Sequence, residues 1–111
     1  MIVHMTTFYV KPGTANDFES SFREASAILA ERPGYMKHEL HKCVEVADKY
    51  IMIVQWNSFK DHMPGFTASE SYLEWSILLQ PFFERPPVAE HYVGIRLKRD
   101  GRTADVTQER S

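Results

Sequence analysis

At 111 residues the chain is the size of a single domain, and 43% hydrophobic content with 25% charged residues leaves intrinsic disorder without support. A formal charge of −2 with no Lys/Arg stripe excludes a nucleic-acid partner, and Cys43 as sole cysteine excludes an intrachain disulfide and a Cys-rich metal site, a usage that fits a reducing cytoplasm. Neither a signal-peptide pattern after Met1 nor a run of ~20 apolar residues occurs, so no membrane partner is expected.

Residues 2 to 10 are rich in β-branched and aromatic types and stop at the turn Lys11-Pro12-Gly13, which predicts a first strand. Thr14 and Asp17 form a capping-box-like start for a helix. Phe18, Phe22, Ala25 and Leu29 then supply one apolar stripe, and Pro33-Gly34 ends it. Segments 35 to 44 and 49 to 56 flank the polar turn Glu45-Val46-Ala47-Asp48 and read as an antiparallel hairpin. The second of these, nearly all apolar, suits a central strand, and the mixed first suits an edge.

Ser58 with Asp61 caps a short turn interrupted by Pro64-Gly65, and Thr67 with Glu70 offers a second capping box. Tyr72, Trp75, Leu78, Leu79 and Phe82 continue a second helix until Pro86-Pro87 forces extended chain, and Val88 to Leu97 forms the last strand. The order is βαββαβ, a ferredoxin-like α+β fold with a four-stranded antiparallel sheet and both helices on one face. The domain spans residues 1–97. Residues 98–111 form a polar tail in which Asp100 and Asp105 dilute Lys98, Arg99 and Arg102, as expected of a solvated or partner-wrapping segment. Apolar residues of both parities in the first and third strands leave the bare sheet face greasy, which predicts a homodimer.

The run from Tyr50 through Trp56 to His62, then Gly65-Phe66, Ser69, Tyr72, Trp75 and the strand Pro87-Val88-Ala89-Glu90-His91-Tyr92, together with the break Pro33-Gly34-Tyr35, resembles the antibiotic biosynthesis monooxygenase domain family over about residues 2 to 97. The resemblance implies a dimeric α+β barrel with a pocket between sheet and helices. It also implies an activity among quinol or anthrone oxygenases, haem degraders or proteins with no known activity. In the polyketide-tailoring oxygenases a Trp on strand three, an Asn four residues before it, a Tyr six residues after it and an Arg on the next helix line the pocket. Ungapped, Trp56 fills the Trp position, His62 replaces the Tyr, Met52 the Asn and Ser76 the Arg. The family's haem degraders use a helix His, a strand-one Asn and a Trp, where this chain has Ser76, Thr6 and Phe66, so haem handling is disfavoured.

The expected function is a cofactor-independent monooxygenase acting on an aromatic quinol, phenol or polyketide-like small molecule, with no cofactor and no metal. His62 and Trp56 are the catalytic candidates, His62 as base and Trp56 as a stacking wall. Phe66, Tyr72, Trp75, His91, Met52 and Phe82 are the substrate-binding candidates; Tyr72, Trp75 and Phe82 also fit a helix stripe that merely fills the core. His91 and His4 face one another if the register allows, as proton partners or as a structural cross-strand pair. His38 and His41, at odd spacing on a strand, point to opposite faces and make no joint metal site, and no other spacing suggests three convergent ligands. The alternative is a non-catalytic barrel of the same shape that binds a small molecule or a protein partner.

Overall fold

The structure is a computed structural model whose description covers residues 1–99 and 102–103. Strands β1 (Ile2–Val10), β2 (Tyr35–Lys42), β3 (Lys49–Trp56) and β4 (Phe83–Val93) form one antiparallel sheet in the order β2-β3-β1-β4. Helices α1 (Ala15–Ala30) and α2 (Glu70–Leu79) complete the ferredoxin-like α+β fold. As the sequence predicts, β3 is central and β2 is an edge.

Strict alternation of burial along β1 and β3 fixes which side the helices cover. Phe8, Val10, Tyr50, Met52, Val54 and Trp56 point inward and meet Phe18, Phe22, Ala25 and Leu29 from α1 and Trp75 and Leu79 from α2. The opposite parity, including Val3, Met5, Ile51 and Ile53, lies on the uncovered face and is only partly buried. Phe8 is the hub, fully buried with ring centroids 5.7 Å from Phe18, 6.4 Å from Trp75 and 5.4 Å from Phe83.

Several boundaries differ from the sequence expectation, each for a local reason. Thr14 does stand at the N-cap of α1, but its hydroxyl donates to the Lys11 carbonyl at 2.6 Å and does not cap the helix. The cap of α2 is Ser69, not Thr67: the Ser69 hydroxyl oxygen accepts from the Tyr72 N–H at 3.1 Å. The helix stops at Leu79, followed by a 3-10 turn over Gln80–Phe82, so Phe82 is not part of it.

Strand β4 begins at Phe83 and ends at Val93, earlier at both ends than expected. It includes Pro86 and Pro87 because it is an edge strand, where a missing N–H leaves no ladder bond unmade. The register against β1 shifts between Thr7 and Tyr9, opposite Val88 and Arg85, so the prolines sit in the irregular stretch. Lys98–Arg99 and Arg102–Thr103 pair as a two-stranded ladder, β5 and β6, within what the sequence suggests is a solvated or partner-wrapping polar tail; Asp100 and Asp105 lie outside the described residues.

Between β3 and α2 the chain makes the wide turn that carries the site. Ser58 opens it as expected: its hydroxyl donates to Asp61 at 3.0 Å, and the Asp61 N–H returns to Ser58 Oγ at 3.4 Å. Over Asp61–Phe66 the backbone is helical except at Met63, which is extended (φ −130°, ψ 113°), ahead of Pro64. The Thr67 N–H reaches back to the His62 carbonyl at 3.0 Å, which turns His62 and Phe66 inward while Met63 stays exposed.

Candidate functional site

A cavity of about 270 Å³ lies between the sheet, this turn and α2. Its floor comes from β1, β3 and β4 through His4, Thr6, Met52, Ala89 and His91, and its roof from the turn and α2 through His62, Phe66, Tyr72 and Trp75. Leu29, Met63, Thr67 and Pro87 complete the wall.

Three histidines converge at one end. The β1–β4 register pairs His4 directly with His91, so both project to the same face of the sheet, with ring centroids 4.9 Å apart. His62 descends from the turn onto His4, ring centroids 3.9 Å apart, and its Nδ1 lies 2.8 Å from His91 Nε2. One proton is shared across that hydrogen bond, with the neutral tautomers deciding which ring donates. His4 Nε2 lies 2.9 Å from the Thr6 hydroxyl, while His4 Nδ1 is buried and has no hydrogen-bond partner among the described residues. Phe59 packs edge-on against His91 at 4.9 Å.

Burial and mutual proximity decide the charge of this cluster. Burial pushes His4 down to about 3, and the neighbouring His62 and His91 add to the shift. His62 is lowered to about 4, first by burial and then by His91. His91 is lowered by burial alone. All three imidazoles are therefore neutral at neutral pH, each with one ring-nitrogen lone pair; that of either His62 or His91 accepts their shared hydrogen bond.

The cavity gathers His62, Phe66, Tyr72, Trp75, His91 and Met52 from the sequence candidates. Trp56 stands behind this wall, fully buried, with its ring 5.4 Å from His62 and 5.9 Å from Phe66. It supports the two residues that reach the cavity and does not itself line it. Phe82 is a correction: it packs toward Phe18, ring centroids 6.1 Å apart, away from the cavity. The expectation that no three potential ligands converge is also corrected, since donor atoms of His4, His62 and His91 all lie within 4.8 Å of one another.

From the sequence, His4 is visible only as a partner of His91. Its place beside His62 depends on contacts between residues far apart in the chain, and no spacing reports those. Thr6 had no signal beyond its parity with His4, two residues along the same face. His38 and His41 do face opposite ways: His38 Nε2 lies 2.8 Å from Ser26 of α1, whereas His41 meets Glu39 at 2.7 Å in solvent.

The sequence profile of the family described as antibiotic biosynthesis monooxygenase matches residues 1–76. The uncharacterized protein YczJ of Bacillus subtilis (strain 168) is 37% identical over 92 residues, which are 83% of this chain and 97% of YczJ. Among solved structures, a candidate antibiotic biosynthesis monooxygenase from Bordetella bronchiseptica is similar with a TM-score of 0.82 at 28% identity, over 85% of this chain and 96% of that one. SnoaB, a cofactor-independent oxygenase from Streptomyces nogalater, shares the fold with a TM-score of 0.75 at 20% identity, over 86% of this chain and 94% of that one. With its profile match spanning well over half its length, the chain belongs to the antibiotic biosynthesis monooxygenase family.

Proposed function

We propose that this protein is a cofactor-independent monooxygenase acting on a small aromatic quinol, phenol or anthrone-like ring, with His62 as general base. The observation that carries the reading is the hydrogen-bonded His62–His91 pair at the end of an aromatic-walled cavity. Such chemistry needs a neutral base beside an acidic C–H or O–H, an apolar space that admits oxygen, and flat walls that hold the ring. Phe66, Tyr72 and Trp75 are the walls: Tyr72 stacks on Trp75 with ring centroids 5.9 Å apart, and Phe66 meets both edge-on.

For an anthrone the sequence balances without an external reductant. His62 takes a ring-methylene proton, and the carbanion so formed gives electrons to dioxygen. One oxygen atom stays on the ring carbon as the new carbonyl, and the other leaves as water with the two hydrogens of the methylene. An imidazole with a lowered pKa is a weak base on its own. Here its conjugate acid forms next to the substrate anion it has just created, and that ion pair in a poorly solvated cavity offsets the cost of burying either charge. His91 orients the His62 ring through the 2.8 Å bond.

The cavity is small for such ligands, just under the roughly 300 Å³ at which small-molecule sites begin. The exposed Met63 at its rim has an unbranched, adaptable side chain that can yield to a larger ring. A homodimer through the uncovered sheet face belongs to the same reading.

Oxygen uptake with a panel of hydroquinones and anthrones, run in EDTA, tests the function. Turnover that falls about 100-fold or more in His62→Ala supports the assigned base. Ring binding without oxygen uptake by any member of the panel would instead favour a non-catalytic small-molecule carrier.

A further inference from the structure

We infer that His4, His62 and His91 form a three-imidazole binding site for a divalent first-row transition ion of the zinc type, with an open coordination position toward the cavity. The inference concerns the same cluster as the proposed base, but it rests on ligand geometry and not on turnover.

Three observations carry it. Donor nitrogens of the three rings lie within 4.8 Å of one another, and the His62 Nδ1–His91 Nε2 pair is already at 2.8 Å. With metal–nitrogen bonds of about 2.0–2.1 Å, two imidazoles on one tetrahedral ion stand about 3.3 Å apart, so donor-atom shifts of under about 2 Å close the set once the His4 ring turns out of its stacks on His62 and His91 and aims a lone pair at the ion. His4 is 6% exposed, and its Nδ1 is buried with no hydrogen-bond partner among the described residues. That atom is the one a ligand role predicts to be free. When Thr6 Oγ1 accepts the Nε2 proton at 2.9 Å, the buried Nδ1 keeps an unpaired lone pair, the arrangement in which an outer hydrogen bond fixes the tautomer of a metal-binding histidine.

The donor set selects the ion. Three neutral imidazoles with no carboxylate among them disfavour calcium and magnesium, which take oxygen ligands, and favour zinc, copper, nickel or cobalt. The elements that hold the trio are two paired strands and a capped turn, so the backbone of each ligand is in place before the ion arrives and only the rings turn. Binding requires that the proton shared by His62 and His91 be moved to the outer ring nitrogens, or released.

The test uses the 111-residue protein stripped with EDTA and dialysed, titrated with Zn²⁺ by calorimetry at pH 7.5, with Co²⁺ absorption as a second reading. The expected result is one Zn²⁺ per chain, a visible Co²⁺ band of tetrahedral type, and affinity at least tenfold weaker in His91→Gln and in His4→Gln. His91 is at the rim and only partly buried, so its variant keeps the test meaningful should His4→Gln fail to fold. Thr6→Val, which retains all three imidazoles, is expected to lose about tenfold in affinity through the freed His4 ring. His41→Gln is the control and leaves binding unchanged. Absence of Zn²⁺ binding, or binding equally tight in His91→Gln, overturns the site. Zinc affinity and oxygen uptake in EDTA are separate readings, so either proposal can fail while the other stands.

Discussion

His4 and His91 are direct partners in the β1–β4 ladder, and the register that pairs them lets one residue from a distant turn, His62, contact both rings. Neighbouring imidazoles of this kind resist protonation, and the consequence is a pH-dependent fold. The unfolded chain titrates these groups near 6.5, whereas in the folded protein His4 is held at about 3 and His62 at about 4. Below 6.5 the unfolded state therefore binds more protons than the folded one, so stability is fully present above pH 6.5 and is lost as pH falls toward the folded values. Each histidine adds up to about 1.4 kcal/mol per pH unit inside that window. Urea midpoints measured in EDTA between pH 7 and 5.5, above the range where carboxylates titrate, should fall steadily. His62→Gln should flatten the slope by a fraction of a proton near pH 7, approaching one proton at pH 5.5; a slope unchanged in that variant refutes the assignment. His38, also lowered by burial, contributes in the same direction and accounts for part of the residual.

The core makes a second, independent prediction. Phe8 is closed off from solvent by other aromatic rings, with Phe18, Phe22, Trp75 and Phe83 around it. Phe8→Ala removes the buried ring and leaves a void that rigid neighbours cannot fill, a change that costs about 3–5 kcal/mol. Phe8→Leu, which keeps most of the volume, should cost clearly less. Chemical denaturation decides it, and equal losses in the two variants would mean that the site collapses and packing there is loose.

Much of the frame was legible because periodicity is a local property. Alternation in β1 and β3 and the Phe18–Phe22–Ala25–Leu29 stripe are both written within single segments, and burial follows them. What escaped was anything set by competition or by distance. Thr67 and Ser69 are both acceptable caps, and only the path of the turn selects Ser69. Pro86 and Pro87 read as the helix stop ahead of a strand starting at Val88, and only the place of that strand at an edge lets it take in both prolines. In the site, Tyr72 and Trp75 could be named from helical spacing and Phe66 from its place at the Pro64-Gly65 break, whereas Phe82 misled because its spacing continued past the end of the helix. The histidine trio needed a register, a turn conformation and a helix position at once.

Gly34 links the α1–β2 turn to the site-bearing turn. Its φ is +82°, a region that L side chains rarely adopt, and a Cβ there would collide with the Asp61 side chain. Gly34→Ala therefore combines backbone strain of about 1–2 kcal/mol with displacement of Asp61 from Ser58. Asp61→Ala made in the Gly34→Ala background should cost less than Asp61→Ala alone, because the collision has already removed what the carboxylate supplied. A double-mutant cycle on thermal or urea unfolding measures the coupling, and strict additivity would show that the two turns are independent.

The uncovered side of the sheet leads to the last prediction. Met5 pairs with Ile53 and Thr7 with Ile51 across β1 and β3, and Val88 and Tyr92 extend the same face on β4, where they are 55% and 45% exposed. This apolar strip, interrupted by Glu90 on β4 and bordered by Glu39 and His41 on β2, is on a lone subunit a cost that association removes, and the homodimer expected from the sequence would cover it. Light scattering should therefore give a dimer at micromolar concentration. Ile53→Glu places a charge at the centre of the face. Because Ile53 is only partly buried within one subunit, the change should convert the dimer to a folded monomer without melting it. The cavity and its histidines lie on the other side of the sheet, so zinc affinity in that monomer should stay close to wild type. A wild-type protein that is monomeric, or an Ile53→Glu protein that remains dimeric, would place the contact elsewhere.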